Sequence, residues 1–337
     1  MTLNAIWFIL VFVLLGGYAV LDGFDLGAGV LVLLSRSDGE RRIFINAIAP
    51  VWDGNEVWLL TAGGALFAAF PPVYATVFSG FYLALMIVLA AMIFRAVGME
   101  FRGKVNNPRW RRIWDAVFGV SSLLLAVLFG VAFGNVIRGV PIAADGNYAG
   151  SFFDLLNPFA LIVGLLVLAI FTMHGATYLC NKHVSDVKHL VKAAQIAWTA
   201  AIALFVAATA VAFHSAPSLF DQIRTSPLIW IAMAILIVAV PSVQISLSAR
   251  RYKAAFLASS STIAAMMALA ALGLFPRLLP SVPDASRTLT IYNSSSSHLT
   301  LSTMLVIALL GMPCVIGYTF FIHRIFRGKV VISGDSY

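Results

Sequence analysis

The chain has 337 residues, of which 61% are hydrophobic and only 11% charged, whereas an ordinary soluble domain is about 45–50% apolar and about 25% charged. That balance excludes a soluble globular protein and describes an integral membrane protein. The net charge of +8 does not mark a nucleic-acid binder, because Lys and Arg fall between apolar runs rather than on one patch.

A membrane-spanning helix takes about 20 mostly apolar residues. Nine stretches meet that requirement: Ala5–Leu34, Val51–Phe70, Ala75–Val97, Ile113–Val136, Pro158–Leu179, Ala193–Phe213, Leu228–Leu247, Ala254–Phe275 and Leu299–Ile322. The expected fold is therefore an all-α integral membrane protein, nine helices in packed bundles, forming a single polytopic domain over residues 1–337. The first stretch lacks a basic leader and a small-residue cleavage site, so it is expected to stay as the first helix. It is too long for one perpendicular span and must tilt or emerge at its inner end. The second is the least regular, since it opens with Asp53 and Glu56 before turning apolar. The longest connection, Pro276–His298, is rich in Pro and Ser and reads as a loop of turns.

Charges in the connections orient the chain. Alternate connections and the C-terminal tail hold 17 Lys and Arg, with the densest group at Arg102, Lys104, Arg109, Arg111 and Arg112. The other connections hold 4, namely Arg138, Arg224, Arg277 and Arg287, and Arg95 lies inside a span. Positive charge accumulates on the cytoplasmic side. The N-terminus is thus expected on the periplasmic side and the C-terminus in the cytoplasm. Omitting the second helix would put Arg102–Arg112 on the wrong side.

This topology gathers the intramembrane polar residues toward the cytoplasmic half. Asp22 and Asp25 lie late in the first helix, Asp53 and Glu56 early in the second, Arg95 at the end of the third and His174 at the end of the fifth. Spacing of i, i+3 puts each acidic pair on roughly one helix face. Ionisable groups inside a membrane are costly and mark proton or ion pathways, so these acids are candidates for proton delivery. The plainer reading gives Asp53 to the helix dipole, with Pro50 as the first helical residue. It gives Asp25 to Arg95 as a charge partner. His174 reads as a residue hydrogen-bonded to a neighbouring helix rather than a haem ligand, since no second His stands in register with it.

The other residue patterns are quieter. Cys180 and Cys314 lie at or inside apolar segments and offer neither a disulfide framework nor a metal site. Gly23 and Gly27, with Gly16, Gly17, Gly29, Gly63 and Gly64, suit close helix packing in lipid. They do not form a phosphate loop, having no preceding strand and no following Lys-Ser/Thr. Phe67, Phe70 and Phe78 read as packing or lipid-facing. A proton-coupled secondary transporter is the competing class. Its usual inverted repeat with paired broken helices is not evident.

Longer strings carry a family likeness. YAVLDGFDLGAGVL (Tyr18–Leu31), the run from Arg41 to Leu85 containing WDGNEVW, RAVGMEFR (Arg95–Arg102), GVAFGNVIRGVP (Gly130–Pro141), LLNPFALIVG (Leu155–Gly164), HGATYL (His174–Leu179) and TLTIYNSSSSHLTLSTM (Thr288–Met304) resemble subunit II of cytochrome bd-type quinol oxidases. Short loops and Glu56 point to the cyanide-insensitive branch. The resemblance implies a haem-free, nine-helix subunit of the bacterial cytoplasmic (inner) membrane, paired with a subunit I. That partner would hold haem b and haem d, or a substitute, and oxidise quinol while oxygen is reduced to water. A small single-helix accessory subunit belongs to the same picture, and a structural quinone in this chain is compatible with it. Carried onto this chain, the likeness makes Asp53 of WDGN the first proton-path candidate and Asp25 and Asp22 of DGFD the next. The roles of Glu56 and His174 stay open.

Overall fold

A helix stretch made of small and apolar residues, save charges that find their partners inside the protein, belongs in the middle of a bundle. The second half of α1 (Leu3–Val32) does this: from Asp22 to Val32 every residue is buried. The computed structural model describes residues 2–183, 187–223 and 226–331, so Arg224 of the charge count lies outside the described residues. Thr2 caps α1, its hydroxyl accepting from the Ala5 N–H. Gly27 lets α7 (Pro158–Lys182) come close enough that a Cβ there would stand 1.8 Å from the Phe171 carbonyl oxygen. Gly175 on α7 reciprocates, with a Cβ position 2.4 Å from the Ala28 nitrogen.

The described residues include a helix, α2 (Asp38–Ile48), in what the hydropathy pattern leaves as a connection. Ser37 caps it by accepting from the Glu40 N–H, and Glu40 reaches back to the Arg36 N–H, in the manner of a capping box. Phe44, Ile45 and Ile48 then pin α2 beneath α1 and α7. The signal, Ser-x-x-Glu followed by apolar residues at helical spacing, is present in the sequence.

α3 (Trp52–Ala69) starts after Pro50, which lies in the preceding turn instead of at the first helical position. It packs along α1. Asn55 bonds the Leu21 carbonyl near one end, and the Ala68 and Ala69 carbonyls accept from Ser296 at the other. The next span differs from its expected Ala75–Val97. Residues 75–80 belong to α4 (Pro71–Gly80), which Pro71 and Pro72 start, and the chain breaks at Phe81. α5 then runs from Tyr82 to Arg102, so Arg95 sits two turns inside a helix rather than at its end. At the break Gly80 admits the Tyr148 side chain, whose Cβ lies 2.5 Å and ring Cγ 2.6 Å from where a Cβ would be.

α6 (Pro108–Arg138), α7, α8 (Lys188–Ser215), α9 (Pro227–Ser248), α10 (Tyr252–Leu274) and α11 (His298–Ile325) complete the bundle. Among the described residues eight helices are long and apolar enough to cross a membrane: α1, α5, α6, α7, α8, α9, α10 and α11. α3, with Asp53, Asn55 and Glu56 in its first turns, falls outside that set. The connection before α11 is more ordered than a string of turns. β1 (Arg277–Leu279) pairs antiparallel with β2 (Leu289–Thr290), and the Val140 and Ile291 side chains seal it against the ends of α1 and α3.

The two ends of the bundle differ. At one, Arg102 bonds Asp115 and Asp38 (both 2.5 Å), His189 meets Glu40, and Lys182 caps α11 at the Phe326 carbonyl. At the other lie the β-hairpin and the connections carrying few cations. α11 is the least embraced helix, with Leu301 its one buried residue.

Candidate functional site

Three helices place a charged cluster inside the bundle. Residues 18, 22 and 25 of α1 fall at i, i+4 and i+7, one stripe of the helix, so Tyr18, Asp22 and Asp25 point the same way. α5 supplies Arg95 opposite them. Its guanidinium is fully buried, with Nη2 donating to Asp22 Oδ1 at 2.8 Å and Nη1 donating to Asp22 Oδ2 at 3.3 Å. Nη1 also donates to Glu56 Oε1 of α3 at 2.8 Å. The Trp52 ring stands 6.0 Å from the guanidinium carbon.

Asp25 is not the partner of Arg95. Its Oδ2 accepts from Asn55 Nδ2 at 2.7 Å, while its Oδ1 is buried with no hydrogen-bond partner. The Arg95 Nε and the Tyr18 hydroxyl are likewise buried without one. One cation therefore faces three carboxyls. Two buried carboxylates and a partly buried third around a single guanidinium would leave two formal negative charges without a counter-charge, which is costly in a low-dielectric interior. Asp25 is bonded to a neutral amide alone.

Asp53 lies elsewhere on α3. Successive residues turn by about 100° around a helix. With Asn55 aimed at Asp25 and Glu56 at Arg95, Asp53 falls roughly 160° from Asn55 and about 60° beyond Glu56. It is exposed on this chain and makes no hydrogen bond or ion pair among the described residues. The Glu56 side chain is 17% exposed, whereas Asp22 and Arg95 are completely covered. Outside surface, partly open carboxyl and sealed ion pair thus follow one another as Asp53, Glu56 and Asp22.

His174 stands apart from these acids, wedged between α1 and α10. Nε2 lies 3.0 Å from the Val20 carbonyl, which only accepts, so Nε2 carries the proton and donates. Nδ1 is then the acceptor for Ser259 Oγ at 2.6 Å, and the ring stacks on Phe256. With both nitrogens engaged, His174 does not fit an axial ligand position. Among the described residues no group of three or more His, Cys, Asp or Glu is arranged to hold a metal ion.

Sequence reasoning counted acids and missed the neutral members, Asn55, Tyr18 and Trp52. The first was visible as the fourth letter of WDGNE. It also missed the ion group of Arg102, Asp115 and Asp38, since Asp115 sits two turns into an apolar helix. The glycines divide. Gly17, Gly23, Gly27 and Gly29 are filled by Trp58, Phe171 and Ser122 atoms, whereas Gly63 and Gly64 meet nothing within 4 Å in this chain.

Fold and site together define a polytopic membrane protein with an ionised cluster shared by α1, α3 and α5. The chain belongs to the cytochrome bd terminal oxidase subunit II family, whose model matches residues 3–326. It is 40% identical to the cytochrome bd-I ubiquinol oxidase subunit 2 of Escherichia coli K12, over 97% of this chain and 95% of that protein. It is 39% identical to a probable cytochrome oxidase subunit 2 of Haemophilus influenzae, over 97% of this chain and 95% of that one. The cytochrome bd ubiquinol oxidase subunit 2 of Bacillus subtilis is 36% identical, over 98% and 97%. The fold matches a chain in the bd oxidase structure from Geobacillus thermodenitrificans with a TM-score of 0.80 at 18% identity, covering 97% and 99% of the two chains. Family membership sets aside the transporter reading.

Proposed function

We propose that this chain works as the haem-free subunit II of a quinol:oxygen oxidoreductase in the bacterial cytoplasmic membrane, and that its acidic cluster passes protons inward from the cytoplasm. Family membership along almost the whole chain supports the subunit role. The single observation behind the proton role is the surplus of carboxyls, two buried and one partly buried, over the one guanidinium of Arg95. Haem b and haem d, or a substitute, belong to the partner subunit I in this reading. They supply electron transfer and oxygen reduction there, and no step in this chain runs through them.

The path begins at Asp53, open to the outside of the chain. A proton moves to Glu56, one turn along α3, where Arg95 holds the carboxylate in place. It continues to the Asp22 and Asp25 stripe of α1. Arg95 keeps this path charged, and Asn55 fixes Asp25 by its amide.

Nine spans, with α3 as the ninth, put the basic end of the bundle in the cytoplasm and the N-terminus in the periplasm. The length of α3 and the 17 to 4 division of Lys and Arg support that topology. Subunit I packs on the open faces of α3 and α11, where Gly63, Gly64, Gly311 and Gly317 leave space beside their backbones. A single-helix accessory subunit completes the assembly.

The test is Asp53→Asn in the assembled oxidase. Quinol-dependent oxygen uptake is expected to fall on the order of tenfold or more, with the haem spectrum unchanged. Normal turnover in the assembled variant overturns the proton path and leaves the subunit assignment standing.

A further inference from the structure

Besides the cluster, the described residues enclose a groove of about 530 Å³ on the outer surface, where the end of α1 and α2 meet α7 and α8. Its walls are apolar and outward-facing: Leu165 is 49% exposed and Ile196 is 61% exposed, with Leu168 and Leu204 deeper in. The lining along α8 extends from His189 to Leu204, a rise of about 22 Å. The hydrocarbon of one leaflet is about 15 Å deep, half of a core about 30 Å thick. The groove therefore starts at the basic end and reaches past the middle of the bilayer.

Two cations stand at its mouth. Arg36 and Lys192 are both exposed, and neither makes a side-chain hydrogen bond or ion pair among the described residues. The acid nearby on α2, Glu40, is already engaged by His189 and the Arg36 N–H. Positive charge at headgroup depth over a chain-length apolar trough fits one kind of molecule. We propose that this groove is a binding site for an anionic phospholipid, its phosphate held by Arg36 and Lys192 and one acyl chain lying along α8 between Leu165 and Ile196.

A neutral quinone would fill the trough but leave both cations unanswered. A zwitterionic lipid would bring its own ammonium against them. The inference rests on the chain lying in a bilayer and not on the proton path, so the two stand or fall separately.

The test uses the intact oxidase containing this chain in lipid nanodiscs, with phosphatidylglycerol and phosphatidylcholine of matched acyl chains competing for it. Each membrane-surface cation is worth about fivefold in anionic-lipid affinity, so the parent is expected to prefer phosphatidylglycerol at one site on the order of 25-fold. Arg36→Gln with Lys192→Gln should bring that preference to near parity. Ala200→Trp keeps both cations but fills the groove, and should lose the retained lipid in native mass spectrometry. Size exclusion and the haem spectrum establish that each variant is assembled. No preference in the parent, an unchanged preference in the double variant, a lipid kept by Ala200→Trp or a quinone recovered in its place would overturn the site.

Discussion

Arg95 is the residue on which the cluster turns, and its replacement can be worked through from the geometry. Arg95→Gln keeps a polar side chain of similar reach but removes the cation shared by Asp22 and Glu56. Asp22 is completely buried and has no other charge partner among the described residues. Breaking a buried pair by removing one member costs about 3–5 kcal/mol, because the remaining charge is left uncompensated. That corresponds to between about a hundredfold and a few thousandfold in the folded-to-unfolded ratio. Asp22→Asn removes the charge stranded by Arg95→Gln, so the double variant should recover part of the loss. The assay is a double-mutant cycle on the detergent-purified complex, read as thermal unfolding with haem retention. Coupling of about 0.5–3 kcal/mol is expected for groups in such contact. Strict additivity of the two single variants would refute the claim that this pair ties α1 to α5.

Gly27→Ala puts a Cβ 1.8 Å from the Phe171 carbonyl oxygen, so α1 and α7 must separate at a cost of about 1–3 kcal/mol. Gly63→Ala meets nothing in this chain, and the yield of folded subunit should distinguish the two. Ser259→Ala strands the buried Nδ1 of His174, which should cost about 1–3 kcal/mol in chemical unfolding without altering the haem spectrum of the complex. In the loop before α7, the Ser151 backbone N–H and hydroxyl hold the exposed Asp154 carboxyl below its ordinary range. A depressed folded-state value stabilises the loop above the unfolded value and is lost as pH falls through the folded one. Amide exchange at Ser151 should therefore stay slow down through about pH 4, where ordinary carboxyls titrate. Loss of protection above that pH would contradict the assignment.

Part of this fold can be read along the chain because hydropathy and charge accumulate residue by residue. Apolar length marks α1 and α6 to α11 within a few residues, and the Lys and Arg clusters separate the two ends. Where local and global cues compete, the reading slips. Pro71 and Pro72 start a helix inside what hydropathy treats as one span, and α2 is too short and too polar to register as membrane. The likeness of WDGN and DGFD to their family identifies the acids, but not what each one touches.

The sequence by itself determined a many-helix membrane chain with acids collected near its basic end, since those properties follow from composition along one dimension. Only the tertiary structure decided that Arg95 goes to Asp22 and Glu56, that Asp25 is left to Asn55 and that Asp53 faces outward. Each outcome depends on how far a helix is rotated about its axis. That rotation is set by packing, here by the contact of Gly27 with Gly175 and the docking of Phe44 and Ile45, which join residues far apart in the chain.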